Sequence, residues 1–291
     1  MKVVNYFNVV KFNINKGRAM LEITASMLIW GTLGMFVLWS KVSAIDLTFF
    51  RCLIGALSVG LYLLKSGRRI SFNRSTLIIS LAGIFAVANW LFLFKSFQLA
   101  SITIGNMAYY LQPIILLLLG FMCKFERFSW RKVILILLAC LGVALTIRLD
   151  SFAVPNMLLG VSCALFAAIL YSLVTLMMRN IHADIFVIIF IQLLIGALMT
   201  APLASFSVPA PSSWWCLLII GLVHTPLAYF LYYRGIKKAS VTQIAVLSYL
   251  DPIVAIISDI MFFNQHLNGV QLFGISLTFL AGFMLIRLKL R

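Results

Sequence analysis

The chain has 291 residues, of which 63% are hydrophobic and only 10% are charged. Soluble domains are about 45–50% apolar and about 25% charged, and a folded chain of this size still exposes much of its surface to solvent. The composition therefore excludes a soluble globular domain and indicates a protein of the lipid bilayer. The formal net charge of +16 would suggest nucleic acid in a soluble protein. Here the basic residues lie in short loops between apolar segments. We therefore expect no nucleic-acid partner, and we use the positions of the basic residues to predict the orientation of the chain in the membrane.

Ten apolar segments have the length of about 20 residues that a transmembrane helix requires. We call them spans 1 to 10, and they cover residues 19–40, 46–64, 76–96, 101–122, 130–147, 156–178, 185–204, 213–233, 240–262 and 269–287. The sequence thus predicts an all-α, polytopic membrane protein. Residues 1–18 form a basic tail, which is either a short interfacial helix or disordered.

The distribution of Lys and Arg between the loops predicts the orientation. With the N-terminus inside, the inner segments collect 19 of these residues and the outer segments hold 3, while Arg51 lies within span 2. Cytoplasmic loops are enriched in Lys and Arg. We therefore expect both termini and the tail to be cytoplasmic in a multi-pass protein of the cytoplasmic (inner) membrane.

The chemistry-bearing motifs of enzymes and metalloproteins are missing from the sequence. The five cysteines are scattered through apolar segments without a CxxC pair, which argues against a zinc site or a disulfide framework. There is no HExxH, GxSxG or P-loop motif. We expect neither a metal nor a cofactor, and a protein that is not an enzyme.

The sequence contains an internal repeat. Residues 100–114 read "ASITIGNMAYYLQPI" and residues 239–253 read "ASVTQIAVLSYLDPI", while "LIGAL" occurs at 53–57 and at 194–198. The repeat divides the chain into residues 19–150 and 151–291, with five spans each. Because five is odd, the second half enters the membrane from the opposite side, so the halves are inverted. Inverted repeats are typical of secondary transporters, whose substrate site lies near the midplane between the halves.

Four segments carry a family resemblance: "LIWGTLG" (28–34), "FFRCLIGAL" (49–57), "YYLQPI" (109–114) and "LSYLDPI" (247–253). In these the chain resembles the drug/metabolite transporter (DMT) superfamily, in its ten-helix EamA-like branch. The resemblance implies two five-helix bundles around a cavity lined by spans 1, 3, 4, 6, 8 and 9, and transport of small metabolites. One departure is that Tyr171 and Ser172 stand where the first half has Trp30 and Gly31, so the cavity is not symmetric.

Polar residues at membrane depth are the first candidates for function, because ionisable groups are costly there. Asp251 lies in the middle of span 9 and Gln112 in span 4, each followed by a proline, Pro252 and Pro113. A proline kinks a helix, and the freed carbonyls need a protein- or water-lined interior. We therefore expect Asp251 and Gln112 to border the cavity; the alternative is that Asp251 pairs with a buried donor such as Arg51 or His224.

Two further groups complete the predicted site. His224 in span 8 is either a proton carrier with Asp251, because imidazole titrates near neutral pH, or a neutral link to another helix. Aromatic rings suit an organic substrate and attract an ammonium group. The remaining predicted substrate-binding residues are Trp30, Tyr109, Tyr110, Tyr249, Asn89, Trp90, Tyr171, Tyr229 and Arg51. By contrast, Trp214, Trp215, Tyr232 and Tyr233 lie at span ends and are predicted to form interfacial belts.

The sequence therefore predicts a secondary active transporter that moves an amino acid or a derivative by alternating access. The alternatives are an exporter of drugs, or a carrier of a nucleoside-containing cation such as S-adenosylmethionine. An intramembrane enzyme or a channel is less expected, since no catalytic constellation or pore ring is found. The expected partners are the small-molecule substrate, the lipid bilayer and a coupling proton, in a monomer or a homodimer.

Overall fold

The computed structural model describes residues 2–68, 70–71, 73–99, 105, 108–146, 156–205, 209–263 and 269–287. Their regular structure is helical. The α-helices are α1 (Lys2–Gly31), α2 (Leu33–Ser40), α3 (Ala44–Lys65), α4 (Arg74–Leu99), α5 (Gln112–Met122), α6 (Trp130–Thr146), α7 (Met157–Asn180), α8 (Ile185–Thr200), α9 (Trp214–Leu222), α10 (Ala228–Ile236), α11 (Val241–Leu247), α12 (Leu250–Phe263) and α13 (Gly269–Arg287). Short 3₁₀ turns cover Ala201–Leu203 and Pro211–Ser213. The all-α prediction is confirmed.

Among the residues that the structure describes, seven helical segments are long and apolar enough to cross a membrane, and they agree with predicted spans 1, 2, 3, 6, 7, 8 and 9. They are Gly17–Ser40, Ala44–Lys65, Arg74–Ser96, Met157–Asn180, Ile185–Leu203, Pro211–Ile236 and Val241–Phe262. Spans 4 and 10 contain the shorter apolar helices Gln112–Met122 and Leu272–Ala281, and span 5 contains α6. Part of span 4 lies outside the described residues, so the count of ten stays a prediction.

The N-terminal tail is helical. Helix α1 runs from Lys2 to Gly31 without interruption, so the tail continues span 1 rather than forming a separate interfacial helix. The side chains of residues 2–16 lie outside the described part of the structure. The cytoplasmic location of the tail stays a prediction from the distribution of Lys and Arg.

Four spans are interrupted near mid-depth. Span 1 breaks at Thr32, between α1 and α2, and span 9 breaks at Ser248 and Tyr249, between α11 and α12. Span 4 has a turn at residues 110–111 before α5. In span 8 a π-helical turn, Val223–Leu227, separates α9 from α10. The sequence predicts continuous helices kinked at Pro113 and Pro252. Instead each proline lies in the first turn of a new helix, where a backbone N–H would lack an intrahelical partner anyway.

Contacts between the two halves follow a two-fold pattern. Span 1 packs on spans 8 and 9, and the equivalent span 6 packs on spans 3 and 4. Spans 2 and 7 pack on each other, as do spans 5 and 10 and spans 4 and 9. The pattern of these principal contacts is therefore unchanged when each span is exchanged for the one five places further along the chain. One buried apolar cluster includes residues from both halves.

Candidate functional site

A cavity of about 190 Å³ lies where the interrupted spans meet. One water molecule needs about 10–15 Å³ by the same kind of measure, so the cavity has room for an organic molecule. Spans 1, 2, 3, 4, 6, 8 and 9 line it, which adds span 2 to the set that the family resemblance implies. The lining residues are Met27, Trp30, Leu33, Arg51, Trp90, Leu93, Phe94, Tyr109, Tyr110, Gln112, Pro113, Tyr171, Tyr229, Ser248, Tyr249 and Asp251.

Ten of the eleven predicted substrate-binding residues line this cavity. The eleventh, Asn89, is fully buried beside Tyr109, but neither polar atom of its side chain meets hydrogen-bond geometry. His224 is not among the lining residues. Pro113 lines the cavity, whereas Pro252, the residue after Asp251 in the first turn of α12, is not among the lining residues.

Asp251 is the acidic group of the cavity. It is the second residue of α12, where the partial positive charge of a helix N-terminus stabilises a carboxylate. The four ion pairs of the described residues include neither Asp251 nor Arg51. The alternative in which Asp251 is locked to Arg51 or His224 therefore finds no support in the described residues. Two neighbours also carry buried polar atoms without a partner, the Gln112 Nε2 and the Tyr249 hydroxyl.

Arg51 is the basic group of the cavity. Only 5% of its surface is exposed, and its guanidinium carbon lies 4.2 Å from the ring centroid of Trp90. Its Nε donates to the Thr225 hydroxyl at 3.2 Å. The guanidinium is thus held by an aromatic face and a hydroxyl group, which leaves further N–H donors of its planar fork to serve a ligand.

His224 connects the interruptions of spans 1 and 8. Its backbone carbonyl accepts from the Trp30 indole N–H at 2.9 Å, and its Nε2 lies 3.0 Å from the Thr32 hydroxyl. Pro226 in the π-helical turn removes one backbone donor from this segment. The Thr225 hydroxyl donates to the Ile220 carbonyl at 2.7 Å, and the His224 Nδ1 lies 3.4 Å from the Ile219 carbonyl, which also accepts from the Val223 N–H. The geometry is that of an interhelical link, the second of the two sequence-based interpretations of His224.

Two layers of side chains lie between the cavity and the basic loops. In the first layer the Tyr232 and Thr175 hydroxyls are 3.0 Å apart, and the Tyr233 hydroxyl donates to Gln192. In the second, Glu22 of span 1 lies 2.9 Å from the Arg234 guanidinium of span 8. Tyr232 and Tyr233 are 1% and 0% exposed, so the prediction that they form an interfacial belt is wrong.

We expect Glu22→Gln to make the cavity more accessible from the side of the basic loops. The variant removes the acidic partner of both Arg18 and Arg234, while the amide keeps the side-chain volume. In a protein carrying Ser248→Cys in the cavity, a membrane-impermeant thiol reagent applied from the basic-loop side should react faster with the Glu22→Gln variant. Asp184→Asn, which removes the exposed Asp184 carboxylate paired with Arg68, serves as the control. Equal labelling rates in the two variants would show that the Glu22 pair does not hold this end closed.

A family comparison identifies the protein class to which this cavity belongs. The model of the EamA-like transporter family matches the chain twice, over residues 17–148 and 158–287. The chain belongs to the EamA-like transporter family. It is therefore a multi-pass membrane transporter of small molecules rather than an enzyme. The two matched ranges correspond to the two copies of the sequence repeat.

Relatives of this EamA-like transporter agree with the family assignment. It is similar to "Uncharacterized transporter YxxF" of Bacillus subtilis (strain 168), with 32% identity over 91% of this chain and 88% of the relative. It is also similar to "Protein PecM" of Dickeya dadantii (strain 3937), with 25% identity over 59% of this chain and 60% of the relative. A solved structure titled "Crystal structure of protein" matches with a TM-score of 0.80 and 20% identity, over 91% of this chain and 96% of that chain. That likeness shows the fold.

Proposed function

We propose that this EamA-like transporter is a secondary active transporter of the cytoplasmic membrane whose substrate is an amino acid or an amino acid derivative. The observation that carries the proposal is the cavity in which Asp251 stands among aromatic walls without an ion-pair partner in the described residues. In this proposal residues 1–18 are a cytoplasmic tail, and the halves 19–150 and 151–291 are inverted and move against each other to expose the cavity in turn to each side.

The chemistry of the walls supports an organic substrate with an ammonium group. Trp30 packs against Tyr229 and Tyr232, with ring centroids 5.2 and 5.1 Å apart, and Tyr171 lies stacked near Tyr232. Aromatic faces attract cations electrostatically, and the Asp251 carboxyl supplies a negative charge in its ionised form. A metabolite that carries an ammonium group and an apolar side chain uses both features.

Asp251 also serves the coupling step of this proposal. A carboxyl group inside a membrane cavity can hold either a substrate cation or a proton, and exchange between the two would couple substrate movement to a proton gradient. His224 lies outside the cavity lining, so in this proposal it links spans 1 and 8 and carries no proton.

A liposome experiment tests the proposed activity. Purified full-length protein is reconstituted, and counterflow of radiolabelled amino acids is measured, with and without an imposed pH gradient, alongside a lipophilic cation and S-adenosylmethionine. We expect saturable counterflow of at least one amino acid. Transport of only the lipophilic cation or only S-adenosylmethionine would favour the alternative cargoes. Flux that does not saturate would contradict a carrier mechanism.

A further inference from the structure

The repeat relates the two charged residues of the cavity, Arg51 and Asp251, to two glutamines. Aligning "LIGAL" at 53–57 with 194–198 places Arg51 opposite Gln192, and aligning "YLQPI" with "YLDPI" places Gln112 opposite Asp251. Each pair therefore consists of one glutamine and one charged residue. The cationic residue belongs to the first half of the chain and the anionic residue to the second. The two halves of the repeat therefore differ in charge at both pairs of equivalent positions.

Arg51 and Gln192 have different hydrogen-bond partners, and each set of partners suits the residue present. The Gln192 carbonyl oxygen accepts from the Tyr233 hydroxyl, so the glutamine has a protein partner. The alignment of "YLQPI" with "YLDPI" places Phe94, which has no hydroxyl, opposite Tyr233. Arg51 instead lies against Trp90 and Thr225 and lines the cavity. The first half thus presents an arginine fork to the cavity where the second half has a glutamine bonded to a tyrosine.

A buried arginine without an acidic partner is costly in a membrane, and the cost is reduced when the guanidinium meets an anion. Arginine matches a carboxylate with two parallel N–H donors. The contact with Trp90 and the hydrogen bond to Thr225 hold this fork in place before a ligand binds. The Arg51 guanidinium is therefore preorganised to bind a carboxylate or a similar planar anion.

We propose that Arg51 is the anion subsite of the cavity and that the substrate is a zwitterion bound in one orientation, with its anionic group at Arg51 and its cationic group on the side of Asp251. This inference rests on the proposed function. With glutamine in place of both Arg51 and Asp251, the cavity would offer no full charge to orient the ammonium and carboxylate groups of a zwitterion. Opposite charges in opposite halves favour one orientation and disfavour ligands that carry only a cation.

The test uses ligands in matched sets on the purified, full-length protein. Each set contains an amino acid, its carboxamide, which lacks the anion, and its N-acetyl form, which lacks the cation; the sets are built on leucine, methionine and phenylalanine. Binding is followed by thermal stabilisation and by inhibition of counterflow. For every set that binds, we expect the amino acid to bind about tenfold or more tightly than either modified form.

Variants assign the two preferences to the two residues. Arg51→Gln restores the residue found at the equivalent position of the second half, and it should remove the preference for the amino acid over the carboxamide. The preference over the N-acetyl form should remain in this variant and should be lost in Asp251→Asn. Arg51→Lys, which keeps the charge but not the fork, should retain a reduced preference for the carboxylate.

The outcomes separate this inference from the proposed function. If the wild-type protein binds carboxamides as tightly as the amino acids, the anion subsite is refuted without reference to any variant. The same follows if Arg51→Gln keeps the full preference while amino acids are still transported, and in both cases a transporter remains. If no member of any set binds and no other amino acid exchanges in the counterflow assay, both the zwitterion and the proposed amino acid transport are refuted.

Discussion

Replacing Asp251 with asparagine is expected to abolish saturable amino acid transport while the protein still inserts and folds. The change removes one charge, keeps the size of the side chain and leaves the described ion pairs untouched, because Asp251 takes part in none of them. Removing one partner of a buried charge pair costs about 2–5 kcal/mol. A substrate ammonium that loses this partner should therefore bind at least about 30-fold more weakly.

The experiment compares Asp251→Asn with Asp184→Asn in the same liposomes. Asp184 is a carboxylate that pairs with Arg68 at the exposed basic end, so its neutralisation controls for the loss of one negative charge. Counterflow at several substrate concentrations distinguishes weaker binding from a smaller amount of active protein, and a melting curve checks folding. Wild-type transport in Asp251→Asn would remove Asp251 from the mechanism.

The sequence predicts the composition of the cavity well, and the reason is physical. Ionisable and amide groups are expensive at membrane depth, so the few that occur there tend to face the same polar interior. Asp251, Gln112 and Arg51 stand out for this reason, and all three line one cavity. Whether each of them binds substrate stays a prediction, because a position in the cavity lining does not determine which side chains contact the substrate.

The sequence predicts helix interruptions and burial less well. Pro113 and Pro252 indicate a distortion, but a kinked helix and a new helix that begins one or two residues before the proline have the same local sequence pattern. The π-helical turn at Val223–Leu227 contains Pro226, a local signal that the sequence-based prediction did not use, and its His224 carbonyl accepts a hydrogen bond from Trp30 of another span. Tyr232 and Tyr233 lie near the end of an apolar segment, and only the packing of spans 6 and 7 shows that they are buried.

Gly31 allows span 1 to approach span 9 at the level of Asp251. A methyl group at Gly31 would lie 2.8 Å from the Asp251 carbonyl oxygen and still closer to the side chain of Val254. At the equivalent position of the second half, Ser172 fits: its hydroxyl donates to the Ala168 carbonyl at 2.8 Å and lies 3.3 Å from the Gln112 carbonyl. A side chain is thus accommodated between spans 6 and 4, but not between spans 1 and 9.

We therefore expect Gly31→Ala to push α12 away from α1 and to displace Asp251 together with its helix. Overpacking of this kind costs about 1–3 kcal/mol of stability, and the displaced carboxylate should also raise the substrate concentration needed for half-maximal counterflow. Gly34→Ala is the matched control on the next helical turn, where a methyl group meets no atom within 4 Å. The control should keep wild-type melting and transport, or gain slightly in stability because alanine favours helix. If both variants behave alike, close approach at Gly31 does not position Asp251, and the packing of spans 1 and 9 tolerates an added methyl group.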